Sequence, residues 1–377
     1  MITTQRKIWL SSPHMGGQEQ KYVDEAFSTN WVATLGPNVD GFEASISSYL
    51  KEDVHVAAVS SGTSAIHLAL IVLGVGKDDD VLCQSLTFSA SANPIVYQGA
   101  NPIFIDSEEE TWNLSPELLE AAILDRIKLH KKPKAIVAVH LYGMPYNALA
   151  INQIARKYDI PVIEDSAEAL GSEYLGIKCG TLGDLSILSF NGNKIITTSG
   201  GGALITKSKS QKDAAVKLAT QSRDQAVHYQ HSQIGYNYRM SNVVAGIGRG
   251  QMEVLEDRVE QRRANYNFYL EKLAGFPELN FLNEPSGTYS NRWLTAIRTD
   301  SYQTRERIRL ALAEEDIESR PLWKPMHMQP VFKNCKAYVN GFSESLFETG
   351  LCLPSGSNLS EEELEKTTNL IKNTLLR

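Results

Sequence analysis

The 377-residue chain has only four cysteines, Cys83, Cys179, Cys335 and Cys352, and no two are close enough to form a CxxC pair. That spacing argues against a cysteine metal site and a disulfide framework, and it fits a reducing cytoplasm. Basic residues are outnumbered: 37 Lys plus Arg stand against 44 Asp plus Glu, a formal net charge of −7. No basic surface for nucleic acid or anionic lipid is expected. No apolar run approaches the about 18 residues that a membrane span requires. The opening Met1-Ile-Thr-Thr-Gln-Arg-Lys-Ile8 has no apolar stretch long enough for a signal peptide, so none is expected. His14, His67, His140 and His327 are scattered without metal-ligand spacing, and no metal is expected. Internal repeats, low-complexity tracts and long linkers are also missing. What remains is a chain with 42% hydrophobic and 21% charged residues, long enough for one large and one small domain.

Between residues 53 and 206, short apolar runs alternate with helical patterns. The strand candidates are Val54–Ser60, Asp80–Leu86, Pro102–Ile105, Ala135–His140, Pro161–Glu164, Leu185–Phe190 and Ala203–Thr206. The helix candidates are Thr63–Leu73, Ala90–Gln98, Pro116–His130 and Asn147–Tyr158. This alternation predicts an α/β fold with a mostly parallel central sheet. Such sheets bind ligands at the carboxyl ends of their strands. A long helical pattern then runs from about Asn242 to Leu273 and stops at Gly275 and Pro277. Arg292–Arg298 reads as a strand, Thr304–Glu315 as a helix and Glu361–Leu376 as a terminal helix. The expected division is a large domain over 1–255 and a smaller C-terminal α+β domain over 256–377.

Two segments carry the chemistry. One is Ser189-Phe-Asn-Gly-Asn-Lys194, which leads into Ile-Ile-Thr-Thr and Ser199-Gly-Gly-Gly202; the other is Glu164-Asp165-Ser-Ala-Glu168-Ala-Leu-Gly171. Together they offer what pyridoxal phosphate (PLP) needs: an amine for a Schiff base, a carboxylate for the pyridine nitrogen and hydroxyls for the phosphate. An isolated lysine is usually a solvated surface group. Lys194, however, follows an apolar strand and a turn of small residues, and a partly buried amine can be neutral and nucleophilic. Asp165 ends a strand; alone it reads equally well as a turn cap or as an ion-pair partner for a pyridinium. Glu168 could reach the ring's phenolic oxygen or the lysine, or remain solvated. Ser60-Ser-Gly62-Thr63-Ser-Ala65 joins a strand to a helix, and the free amides and dipole of a helix start bind anions. Gly62 allows close approach, Thr63 adds a hydroxyl and Ser189 is a further donor. Phe88 is placed to stack on the pyridine, although a lone phenylalanine is usually core. Gly200-Gly-Gly202 is not a dinucleotide fingerprint.

These motifs resemble those of the DegT/DnrJ/EryC1/StrS group of PLP-dependent nucleotide-sugar aminotransferases, and the resemblance runs almost end to end. It includes Leu10–Gly17, Asn30–Gly36, Ser61-Gly-Thr63, Thr87-Phe88, Gly235–Asn242, Arg320–His327 and Leu353–Gly356. Within the group the chain is most similar to the UDP-4-keto-6-deoxy-GlcNAc aminotransferases of the bacillosamine pathway. It shares Pro13-His-Met-Gly-Gly17, Phe190-Asn-Gly-Asn-Lys194 and Arg320-Pro-Leu-Trp323 with that branch. The resemblance implies the fold type I, aspartate aminotransferase-like architecture. It implies PLP, cycling with its amine form PMP, and L-glutamate as amino donor. It also implies a UDP-linked 4-keto-6-deoxy sugar as acceptor. Lys194 would be the Schiff-base lysine, Asp165 would pair with the ring nitrogen, and Thr63 and Ser189 would bind phosphate. Asn237 would join them from the partner subunit of a homodimer with shared active sites. Asn30, Trp31, Val32 and Ala33 would line the sugar-nucleotide site with Arg239, Arg320, Pro321, Leu322, Trp323 and His327. Arg320 and Lys324 suit a diphosphate.

Overall fold

The computed structural model describes residues 7–376; Met1–Arg6, part of the leader reading, lies outside the described residues. Its centre is an eight-stranded sheet. In spatial order the strands are His55–Val59, Gly202–Thr206, Leu185–Ser189, Val162–Asp165, Ala135–Val139, Asp80–Gln84, Asn101–Ile105 and Ala337–Tyr338. Gly202–Thr206 runs antiparallel to both of its neighbours, and every other pairing is parallel. The inner strands are buried on both faces, which is why they read as continuous apolar runs rather than alternating ones. Helices cover both sides. On one side the Gly62–Val72 helix packs Ile66 and Leu70 into a core with Val137, Ile163 and Ile187. On the other, Leu119, Ile123 and Ile151 pack against Leu82, Ile136 and Val162.

The seven strands read from the sequence in this region all form, each within two residues of its expected ends. The eighth, Ala337–Tyr338, is two residues long and has no sequence signal. Four helices were also not expected: Glu19–Ser28, Pro37–Leu50, Lys209–Ala219 and Phe342–Thr349. Two expectations are corrected. The Ala90–Gln98 helix is a 3₁₀ turn, Ser89–Ser91, followed by a short helix, Asn93–Tyr97, with Pro94 in its first turn. The long 242–273 helix is two helices, Asn242–Met252 and Leu255–Leu273, separated at Val254. The first half is rich in glycine and lies tightly on the N-terminal helices: a Cβ on Gly250 would come within 2.7 Å of the Glu19 nitrogen. The second half instead sends Tyr269 and Leu273 into a separate core.

That separate core belongs to an antiparallel sheet of Leu279–Phe281, Thr295–Thr299, Gly350–Leu353 and Arg320–Pro321. The helices Tyr302–Glu314 and Glu361–Leu375 pack onto it through Ile308, Leu312, Leu364 and Ile371. The strand expected over 292–298 begins only at Thr295, because Arg292 takes a left-handed backbone (φ 51°) that turns the chain.

Gly202 opens its strand between Val59 and Ser189, directly beneath the Ser60–Gly62 turn. A Cβ there would collide with the backbone of Ser61 and Gly62. Gly202→Ala is therefore expected to destabilise the fold by about 1–3 kcal/mol, measured by chemical denaturation.

Candidate active site

Four strands end at one place. Val59 leads into Ser60–Gly62, Asp165 ends its strand, Ser189 ends the next, and Val139 ends the strand beyond. The turns that follow them open onto a single cavity of about 510 Å³. Gly62, Thr63, Phe88, Asp165, Glu168, Ser189 and Lys194 all line it, as do Arg320, Pro321 and Trp323 from the C-terminal half.

The other expected residues lie elsewhere. Asn30, Trp31, Val32 and Ala33 are on the surface, and Asn237 is exposed. Arg239 is not a lining residue: its guanidinium binds the Glu43 carboxylate and the Ala58 carbonyl, the latter at 2.9 Å. Leu322 is buried in an apolar cluster with Tyr142 and Trp293. His327 stands between the Ser85 hydroxyl at 2.6 Å and the Glu344 carboxylate at 3.1 Å.

The Gly62–Val72 helix begins at the cavity. Ser61 caps it, its hydroxyl accepting from the Ser64 amide at 3.0 Å. The amides of Gly62 and Thr63 belong to the first turn, which has no intrahelical acceptor. An anion there meets those amides and the positive end of the helix dipole. Ser189 closes the cup: a Cβ on Gly62 would stand 3.1 Å from the Ser189 Cβ, so glycine keeps the two segments close.

Asp165 is buried at the floor. Its Oδ2 accepts from the Ser91 hydroxyl at 2.6 Å and its Oδ1 from the Ala167 amide at 3.1 Å. Thr87 in turn bonds Ser91 at 2.7 Å. Burial pushes the Asp165 carboxyl above the usual carboxylate range, and the two hydrogen bonds only partly offset it. A buried carboxylate held by neutral donors would gain from a cationic N–H, which is what a protonated pyridine offers.

Lys194 and Glu168 face each other at 3.3 Å, Glu168 buried and Lys194 largely so. Burial raises Glu168 to about 7, opposed by the Lys194 charge and by the Tyr142 amide, which donates to Oε2 at 2.7 Å. Glu164, next to Asp165 but on the opposite face of the sheet, behaves differently. Burial alone would raise it, yet its two oxygens accept from His140, Ser166, Gly180, Leu182, Gly183 and Ser186. These donors hold it at about 2. Glu164 is a structural staple.

Sequence reasoning did not single out Ser91, Tyr142, Asn291 and Trp293. Ser91 is in the Thr87–Ser91 segment and could have been found there as a hydroxyl near Phe88. The other three come from distant segments with no motif of their own. Asn291 donates to the carbonyls of Glu168 at 2.8 Å and Leu170 at 2.9 Å, fixing the turn that carries Glu168.

An amine, a strand-end carboxylate and an anion cup around one cavity on this sheet define a fold type I, PLP-dependent aminotransferase. Comparison with known proteins agrees. Residues 13–372 match the model of the DegT/DnrJ/EryC1/StrS aminotransferase family. EpsN of Bacillus subtilis (strain 168), whose name carries the words pyridoxal phosphate-dependent aminotransferase, is 50% identical over 95% of this chain and 93% of its own. GDP-perosamine synthase of Escherichia coli O157:H7 is 38% identical over 95% of each chain. The PLP-form structure of Spr1654 from Streptococcus pneumoniae superposes with a TM-score of 0.89 at 26% identity, covering 98% of this chain and 99% of that one. The chain belongs to the DegT/DnrJ/EryC1/StrS aminotransferase family, and its cofactor is PLP.

When bound, PLP supplies an electron sink for the carbon that gains or loses the amine. Asp165 suits the ring nitrogen, the Gly62–Thr63 amides and Ser189 suit the phosphate, and Lys194 Nζ suits the part of nucleophilic amine and proton carrier. Phe88, which is half exposed, and Trp323, with ring centroids 5.6 Å apart, line the cavity side by side.

The two pKa values of Glu168 give a pH test. In the unfolded chain it ionises near 4.5 and in the folded protein near 7. Between those values the unfolded chain binds fewer protons, so this group costs the fold stability as pH rises, with no further cost above about 7. Glu168→Gln in cofactor-free protein should gain on wild type across that window, by on the order of 2 kcal/mol. Urea midpoints at pH 4.5 and pH 8 measure the gain.

Proposed function

We propose that this enzyme transfers an amino group from L-glutamate to C4 of a nucleotide-linked 4-keto-6-deoxy sugar. The favoured acceptor is a UDP-2-acetamido-2,6-dideoxy-4-ketohexose, and the 4-amino product would serve surface-glycan or protein-glycosylation synthesis. The observation that carries the reading is the meeting of Lys194, Asp165 and the Gly62–Thr63 helix start in one cavity. With the cofactor bound, Lys194 Nζ would take up and return the proton that each half-reaction moves. Asp165 would favour the protonated ring nitrogen. The Pro13–Gly17, Phe190–Lys194 and Arg320–Trp323 motifs support the UDP-linked acceptor. The 38% identity to a GDP-perosamine synthase favours a second reading, in which the acceptor is GDP-linked. Arg320, at the cavity edge, suits the diphosphate in either case.

The enzyme works as a homodimer in this reading. Asn237 is exposed, and so are Val227, Tyr229 and Ile234 in the same loop, apolar side chains set among polar ones and suited to a second copy. Asn237 would then reach the partner's phosphate cup. Residues 1–255 form the cofactor-binding domain and 256–377 the smaller domain.

UDP-, GDP- and dTDP-linked 4-keto-6-deoxyhexoses, each incubated with L-glutamate, should give turnover with the UDP sugar first. Conversion of the ketone to an amine raises the product mass by about 1 Da. Lys194→Ala should abolish product and the visible absorbance of bound cofactor. Product from no sugar, or full turnover by Lys194→Ala, would overturn the reading.

A further inference from the structure

Lys194 is held from two sides. Glu168 faces its amine from the turn after Val162–Asp165. On the other side, Nζ lies 4.3 Å from the ring centre of Trp293, a residue of the C-terminal half. The indole is almost fully buried, and its Nε1–H donates to the Asn193 carbonyl at 2.7 Å. That carbonyl belongs to the peptide bond that carries Lys194. It accepts a second bond, also 2.7 Å, from the Ser11 hydroxyl.

Behind these two donors stands Arg262, a buried guanidinium whose partners are neutral. It binds the Ser11 hydroxyl at 2.9 Å and the Trp293 carbonyl at 2.5 Å. It also reaches the Ser355 carbonyl at 3.3 Å. The Asn291 side chain fixes Trp293 further, accepting from its amide at 2.9 Å. Burial, reinforced by nearby Arg258, lowers the Arg262 pKa, yet a guanidinium keeps its proton in proteins. A buried cation without a carboxylate is costly, and here it is spent on fixing the two groups that grip Asn193.

We propose that Trp293 is a positioning residue for Lys194, its ring face favouring the cationic form of the lysine nitrogen and its indole N–H fixing the peptide from which the side chain springs. The inference rests on Lys194 being the cofactor-binding lysine and deepens that reading. An indole face stabilises a cation without accepting its proton. Glu168, by contrast, does both. The other ionisable groups around the pair are Asp165 on the sheet, Tyr142 and Cys352 against Glu168, Arg262 behind the indole and Arg320 at the rim.

The test uses cofactor-loaded wild type, Trp293→Leu and Trp293→Phe, and reads the pH midpoint of the visible absorbance of the cofactor bound at Lys194. Loss of the ring face should lower the midpoint by about half a unit to one and a half units in Trp293→Leu. Trp293→Phe keeps a weaker face and should shift in the same direction by less. It also decides the matter should the leucine variant fail to fold. A packing role alone lowers the folded fraction and leaves the midpoint in place. Midpoints unchanged or raised in the folded variants would overturn the inference while leaving the cofactor assignment intact. Wild type without the absorbance would overturn both.

Discussion

The site depends on carboxylates held in a place where charge is expensive. Asp165 and Glu168 are both buried near the carboxyl end of one strand, and Glu168 pairs with Lys194. Neither would sit there in an apolar core without a partner. The parallel sheet makes the arrangement possible, because it aims several strand ends at one spot and lets the turns after them supply amides and hydroxyls. Ser91, Ala167 and Tyr142 are those donors. The remaining imbalance, a carboxyl at Asp165 pushed up by burial, matches what a cationic ring nitrogen would relieve.

Glu164 and Asp165 show how one strand separates two tasks. They are adjacent, so the pleat turns them to opposite faces. Glu164 is surrounded by donors and ties the 180–183 loop to Ser186 of one neighbouring strand and to His140 beyond the other. Asp165 has fewer donors and faces the cavity. The same residue chemistry becomes structural or functional according to how completely its lone pairs are filled.

The sheet was legible because its signals are local. Ala135–Val139 is apolar throughout and Leu185–Ser189 carries Leu185, Ile187 and Leu188, and the turns beyond such runs are marked by Ser, Gly and Asp. The lysine, the aspartate and the helix-start turn were legible for the same reason. Trp293 and Asn291 were not, since what matters about them is where a distant segment folds back. The 242–273 pattern misled for a related cause: Ala245, Leu255 and Val259 enter one core from both sides of the break, so the apolar positions continue through it. Ala337–Tyr338 is too short to carry any period at all. Arg239 and His327 show the converse, polar residues within matched motifs whose side chains are taken up by neighbours in the same chain.

The Ala337–Tyr338 strand extends the far edge of the main sheet beside Asn101–Ile105, although it comes late in the chain. Thr288–Tyr289 makes a second such stitch, pairing with Glu173–Tyr174. The C-terminal half is thus sewn to the rest by backbone hydrogen bonds at two separate seams. It cannot swing away as a body without tearing one of them. Arg320, Pro321 and Trp323 lie between these two seams in the chain, so the wall they give the cavity is anchored from both directions.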